Sequence, residues 1–189
     1  VYRMSTMTDL TTPPIVSERL ELIAMTAAFL EAMLHNDLAA AEQNIGFAVP
    51  PAWLELHGLY TMRLNQMRSD TSLQQWLLRA VIERNTRIII GYVGFHTAPD
   101  PEYLRDSVPG GVEIGYTIEP PFRRQGYASA AVQALMDWAT RVHGVQRFVL
   151  SIRPDNTPSL RIAERLGFRK IGSHIDEEDG PEDVFLLEV

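Results

Sequence analysis

The sequence predicts a single mixed α+β domain, and three observations carry that reading. The 189 residues, 46% hydrophobic and 22% charged, match a globular chain long enough to bury one substantial core. Stretches that alternate apolar and polar residues are interspersed with stretches of helical spacing, in the order strand, helices, three strands, helix, strand, helix, two strands. No internal repeat and no linker breaks that order after Pro13 and Pro14. The elements are therefore expected to share one mixed sheet with helices packed on it.

Residues 1–14 read as a flexible arm, without the apolar run of a signal peptide and closed by the proline pair. The domain is expected over 15–189. Glu18, Arg19, Leu20, Glu21, Leu22 and Ile23 alternate as a half-buried first strand does. Thr26 is placed to cap a helix over 26–35, on which Phe29, Leu30, Met33 and Leu34 recur at helical spacing. A second helix is expected over 38–45. A third, over 52–67, is opened by Pro50 and Pro51 and faced by Trp53, Leu56, Tyr60, Leu64 and Met67. Residues 74–83 and 87–96 read as two strands joined by a short turn at Arg84, Asn85 and Thr86. The proline- and glycine-containing stretch 98–111 reads as a loop, and 112–118 as a strand halted by Pro120 and Pro121. The strongest helical pattern covers 126–143, with Ala128, Ala131, Leu135, Ala139 and Val142 on one stripe and Gly144 as its stop. A strand over 145–152 follows, then an amphipathic helix over 156–166 ended by Gly167. Strands over 168–173 and 184–189 complete the domain, with the acidic stretch 176–183 between them as a solvated turn.

Composition narrows the function. A net charge of −7 opposes a whole-surface grip on nucleic acid. The absence of cysteine excludes a disulfide framework, a thiol nucleophile and a thiolate metal site. His35, His57, His143 and His174 show no metal-ligand spacing, so no metal is expected. No apolar run approaches the ~18–20 residues of a spanning helix, and a cytoplasmic location is expected, with no membrane partner.

The chemistry concentrates in 114–129, Ile-Gly-Tyr-Thr-Ile-Glu-Pro-Pro-Phe-Arg-Arg-Gln-Gly-Tyr-Ala-Ser. A strand runs into a basic, glycine-containing turn that opens the long helix. First-turn N–H groups there lack intrahelical partners and the helix dipole favours negative charge, so the turn is an anion site. Gly126 permits close approach, Ala128 keeps the next turn small, Arg123 and Arg124 add charge, and the Ser129 hydroxyl can donate to a phosphate. The segment is neither a Walker A loop nor a dinucleotide fingerprint; a pyrophosphate suits it.

Arg123-x-x-Gly126-x-Ala128 resembles the acyl-CoA pyrophosphate loop of the GNAT superfamily of N-acyltransferases. Asn156-x-x-Ser159, followed by a helix and Gly167-Phe168, resembles the family's second motif. Ser17-Glu18-Arg19-Leu20-Glu21-Leu22 looks like the opening strand of its RimJ/RimL-type branch, which includes ribosomal-protein N-terminal acetyltransferases. The resemblance spans about 15–189. It implies a mostly antiparallel sheet of about seven strands, splayed between the strands near 112–119 and 145–152. Acetyl-CoA as co-substrate is implied too, with its pantetheine arm along Ile118 and Asn156. Its pyrophosphate would lie on Arg123, Arg124, Gln125, Gly126, Tyr127, Ala128 and Ser129. Many relatives carry Gly where Arg124 stands and Glu where Ala130 stands. More consequential, the tyrosine that protonates the departing thiolate in several branches is here Ala163. In some RimL-like members the hydroxyl of the second motif is the proposed acid, which would be Ser159. Dimerisation is common among relatives.

The acceptor implied is a primary amine, a protein N-terminal α-amine or a small molecule. An α-amine, with a pKa of about 7.7–8.0, is partly neutral near neutral pH, whereas a lysine at about 10.4 needs a better-placed base. Glu113, on the strand expected to pass the reaction centre, is the candidate base or else a solvent-facing carboxylate. Ser159 is the candidate acid or else a helix-cap residue. Tyr116 reads as a wall residue, and His96 either lines the acceptor pocket or is structural. The expected activity is direct transfer in a ternary complex. The alternative is a non-catalytic acyl-CoA-binding sensor or interaction module.

Overall fold

The computed structural model describes residues 12–176 and 180–189. Residues 1–11 of the predicted arm and 177–179 of the predicted acidic turn lie outside the described residues. Among those described, eight strands form one sheet: β1 (Ile15–Val16), β2 (Leu20–Ala24), β3 (Arg79–Glu83), β4 (Ile88–Phe95), β5 (Val112–Ile118), β6 (Arg147–Ile152), β7 (Arg169–Asp176) and β8 (Gly180–Glu188). Their order is β1-β2-β3-β4-β5-β6-β8-β7. The helices are α1 (Ala27–Leu34), α2 (Leu38–Ile45), α3 (His57–Ser69), α4 (Glu102–Arg105), α5 (Tyr127–His143) and α6 (Thr157–Leu166). No described helix is long and apolar enough to cross a membrane.

Caps fix the helices much as expected. Thr26 and Asp37 accept N–H bonds from Phe29 and Ala40, and Gly144 and Gly167 end α5 and α6 in left-handed conformation. Four expectations are corrected. The predicted acidic turn over 176–183 is largely strand, since β7 runs to Asp176 and β8 starts at Gly180, paired from Ser173 with Asp183 to Asp176 with Gly180. The predicted third helix is broken: Pro51–Glu55 is a 3-10 turn and α3 starts only at His57. That break turns Trp53 inward, where its indole N–H donates to Glu119 Oε1 at 2.7 Å and joins the helical layer to the end of β5. The predicted strand over 74–83 begins only at Arg79, because Asp70 caps a 3-10 turn over Thr71–Gln75 that tucks Trp76 and Leu77 into the core. The predicted loop over 98–111 carries α4, whose Leu104, with Val108, packs on Val149 and Leu186.

The two sheet faces bury different helices. α5 lies against Val93, Phe95, Ile114, Phe148 and Leu150, and its buried Ala131, Ala134 and Ala139 let it approach closely. The opposite face carries α1, α2 and α3 against Leu78, Ala80, Ile82 and Ile89. Every strand pair is antiparallel except β5 with β6. That parallel pair holds only at Val112 with Phe148 and Glu113 with Val149. Beyond Glu113 the strands part, which is the expected splay, and it positions everything that follows.

Candidate active site

The divergence of β5 from β6 opens a cleft of about 1000 Å³ between the end of β5, the start of α5 and the start of α6. Arg123 Nε donates to Ile118 O at 2.8 Å and folds the turn after β5 back on its own strand. Arg124 and Gly126 then both adopt left-handed φ, +61° and +80°. Only glycine takes that conformation without cost, so Arg124 is strained. From the far side Arg19 steadies the turn: its Nη1 donates to Gln125 O at 3.2 Å and its guanidinium lies 4.3 Å over the Tyr127 ring. No side chain caps α5 and no acidic residue lies in its first turn, so its N–H groups are open to a ligand.

Ile118, Arg123, Arg124, Gly126, Tyr127, Ala128, Ser129, Asn156 and Ser159 all line this cleft. Gln125 lies off the wall, its amide donating to Pro121 O at 3.2 Å. Asn156 caps α6, its Oδ1 accepting from Ser159 N at 3.3 Å. Two further wall residues, Arg161 and Arg165, escaped the sequence reading, although their four-residue spacing on a helix puts them on one face. Four arginines and no carboxylate thus line the cleft of a protein whose net charge is −7. Among the described residues no ion pair neutralises Arg124, Arg161 or Arg165. Such a wall suits a polyanion.

Two hydroxyls face each other where the cleft narrows. The Tyr116 hydroxyl is buried and lacks a well-formed hydrogen bond, with Ser159 near enough to act on it. Burial pushes the Tyr116 phenol up, against a smaller opposing effect of Ser159. Ala163 is fully buried, in the core cluster that Tyr116 packs against.

Glu113 lies elsewhere, behind the point where the strands part. It is 7% exposed, and its Oε2 is 3.4 Å from His96 Nδ1. Burial alone would raise this carboxyl. Hydrogen bonds from His96, Ser151 and Tyr103, with the pull of His96, outweigh that and hold it down at about 2. Tyr103 is over half exposed, yet its hydroxyl end turns inward onto Glu113; desolvation there and the carboxylate charge push the phenol up. Arg63, 6% exposed and lowered by burial, donates from Nη1 to His96 O at 2.8 Å, and Gln66 Nε2 reaches the same oxygen at 2.9 Å. Sequence reasoning named neither Arg63, Gln66, Tyr103 nor Ser151. Among the described residues no group of three His, Cys, Asp or Glu is placed to hold a metal ion.

The geometry has counterparts among known proteins. A family model described as an acetyltransferase (GNAT) domain matches residues 19–169. An uncharacterised N-acetyltransferase, p20 of Bacillus licheniformis, is 33% identical over 114 residues, and the match spans 60% of this chain and 60% of that relative. The solved structure of a Salmonella typhimurium acetyl transferase that modifies the N-terminal serine of ribosomal protein L7/L12 superposes with a TM-score of 0.62 at 20% identity, covering 94% of this chain and 99% of the other. The microcin C7 self-immunity acetyltransferase MccE, solved with acetyl-CoA and AMP, gives 0.61 at 17% identity, covering 96% and 100%. At those two identities the likeness is one of fold.

Proposed function

The chain belongs to the GNAT acetyltransferase family, and from that membership we propose that it transfers an acetyl group from acetyl-CoA directly to a primary amine. The observation that carries the proposal is the charge inversion of the cleft: four arginines without a carboxylate, two before the uncapped start of α5 and two along α6, in a cleft that leads to the split in the sheet. The N–H groups around Gly126, Tyr127, Ala128 and Ser129 would hold the pyrophosphate, with Arg124, Arg161 and Arg165 reaching its outer oxygens or a further phosphate. Ile118, Thr117 and Asn156 would line the pantetheine arm, the free edge of β5 offering it backbone groups as a neighbouring strand does. With no cysteine in the chain, a cysteinyl acyl-enzyme is impossible, which supports direct transfer within a ternary complex.

Ser159, backed by the buried Tyr116 hydroxyl, is the group that gives the departing sulfur its proton. Burial pushes the Tyr116 phenol up, so it stays neutral beside Ser159 and does not itself supply the proton. The acceptor amine is taken to be a protein N-terminal α-amine or a small-molecule amine. It would approach on the sheet face that carries α3 and α4, because α5 covers the other.

Calorimetric titration with acetyl-CoA tests this reading, with adenosine as the control that lacks pyrophosphate and pantetheine. Micromolar binding of acetyl-CoA and none of adenosine is expected. Equal affinity for both, or no binding of acetyl-CoA to protein shown free of bound CoA, overturns the cleft assignment and the activity with it. Binding without thiol release across a broad amine panel would instead establish a non-catalytic module.

A further inference from the structure

We infer that His96 is the group that takes the proton from the acceptor amine, and that Glu113 serves it as a positioning residue rather than acting as the base itself. The inference rests on the acetyltransferase reading above and assigns one of its steps.

Four features of the geometry lead there. First, Glu113 is the wrong carboxylate for direct proton abstraction: it is buried and already engaged by three side chains. Second, its Oε2 faces His96 Nδ1. A carboxylate at that nitrogen favours the tautomer in which Nδ1–H donates and Nε2 keeps its lone pair. Third, the backbone that carries the imidazole is held at three contacts. The His96 N–H donates to Glu113 O at 2.9 Å, and its carbonyl accepts from both Arg63 and Gln66. A carbonyl one residue past the end of β4 is thus clamped by α3, which points the ring across β5. Fourth, the ring edge lies over Gly115. A Cβ built on Gly115 would come 2.7 Å from His96 Nε2, so Nε2 occupies the space a side chain there would take. Gly115 lies two residues past Glu113, the last residue of β5 paired with β6, and precedes Tyr116 on the cleft wall. Nε2 therefore sits at the apex of the split, and the His96 side chain remains 39% exposed on the face open to an acceptor.

The proton and electron count is simple. One proton of the acceptor ammonium passes to Nε2 and on to solvent. The freed nitrogen lone pair forms the N–C bond at the thioester carbonyl. As the C–S bond breaks with its electrons on sulfur, the sulfur takes the Ser159 hydroxyl proton and the second nitrogen proton replaces it on Ser159, so that one proton in all reaches solvent. The charged group that faces the imidazole is Glu113 from β5; Tyr103 from α4 and Arg63 from α3 act on that carboxylate in turn, and Arg63 also reaches the His96 carbonyl.

The test uses the full chain and three variants: His96→Asn, whose amide can keep the contact to Glu113 but offers no base, Glu113→Gln, and Glu113→Asp. Calorimetry with acetyl-CoA comes first, since failure of the wild type to bind overturns the proposed acetyl transfer and this inference with it, whereas binding with a wrong tautomer overturns this inference alone. Long-range ¹H–¹⁵N correlation spectra of the wild type then report the His96 tautomer without any acceptor. Nδ1–H with an unprotonated Nε2 is expected, reverting toward Nε2–H in Glu113→Gln and retained in Glu113→Asp. An Nε2–H imidazole in the wild type, or a tautomer indifferent to Glu113→Gln, overturns the inference. Turnover is read with a serine-initiated peptide, an alanine-initiated peptide and spermidine as acceptors. On any that reacts, His96→Asn should lower kcat by about 10²–10⁴-fold with acetyl-CoA affinity within about twofold, and should remove one inflection from the acid limb of the pH profile. A His96→Asn protein that turns over at the wild-type rate also overturns it.

Discussion

Replacing Gly115 by alanine moves His96 without touching it chemically. The added methyl would stand 2.7 Å from His96 Nε2 and 3.4 Å from Cδ2. Carbon and nitrogen atoms in ordinary contact keep about 3.5–4.0 Å, so the ring must retreat by roughly 1 Å. Its backbone cannot follow, being bonded to Glu113 O on one side and to Arg63 and Gln66 on the other. The ring must therefore leave its rotamer, at a cost of about 0.5–1.5 kcal/mol. Gly115 is not among the residues with positive φ, so alanine adds no backbone strain. A loss of about 1 kcal/mol lowers the melting temperature by only about 2–4 °C in a chain of this size. A displacement of about 1 Å at a reacting group can lower the rate about 10²-fold. The two effects are separated by thermal unfolding, acetyl-CoA calorimetry and thiol release measured on one preparation. A variant that stays folded, binds acetyl-CoA and turns over at the wild-type rate would show that the placement of His96 over Gly115 has no bearing on catalysis.

Three other outcomes follow from the same coordinates. Glu113 titrates lower in the folded chain than its ordinary 4.5, at about 2. Between those values the unfolded chain binds more protons than the native one, so this stabilisation is complete above about pH 4.5 and lost as the pH falls toward 2; it amounts to roughly 3 kcal/mol. Acid unfolding of Glu113→Gln should lack that component, and an unchanged pH dependence would contradict it. Arg124→Gly relieves a left-handed φ worth about 1 kcal/mol but frees the unfolded chain by about 0.5–1 kcal/mol, so stability should hold or rise slightly. Acetyl-CoA affinity should meanwhile fall severalfold and lose part of its salt dependence; a fall in stability alongside the fall in affinity would mean the arginine is structural. Gly94→Ala would place a Cβ 2.6 Å from Leu77 O and 3.0 Å from Leu78 Cα, both backbone atoms, and should cost about 3 kcal/mol, or roughly 6–12 °C in the melting temperature.

What the sequence reveals divides along the range of the forces involved. α2 over Leu38–Ile45 and β5 over Val112–Ile118 fall where the pattern predicts them, because caps, periodicity and proline stops act within a few residues. The turn proposed to hold the pyrophosphate is legible for the same reason: Arg123, Gly126 and Ala128 lie within one short stretch of chain. The break before α3 and the late start of β3 are not, since Trp53 and Trp76 are turned inward by partners far along the chain. The pair of His96 and Glu113 is invisible for a similar reason. They lie seventeen positions apart, and only the register of β4 on β5, Gly94 opposite Gly115, brings them together. Arg63 reads as one more solvated helix residue until α3 is seen packed over the carbonyl of His96.

The split in the sheet also bears on how this chain avoids its own kind. A strand edge with unpaired backbone groups is a template for aggregation. The outer edges are managed conventionally: β1 is two residues long, and β7 carries Arg169, Lys170 and His174 along an exposed strand. The inner edges, of β5 and β6 past Glu113, have no such protection in their sequence, for Gly115, Tyr116, Thr117 and Ile118 are uncharged. Their protection is that they face each other. The Val112–Phe148 and Glu113–Val149 pairs close one end, so a chain that adds to β5 there has β6 on its other side. The fold thereby keeps an unpaired edge inside the sheet rather than along its rim.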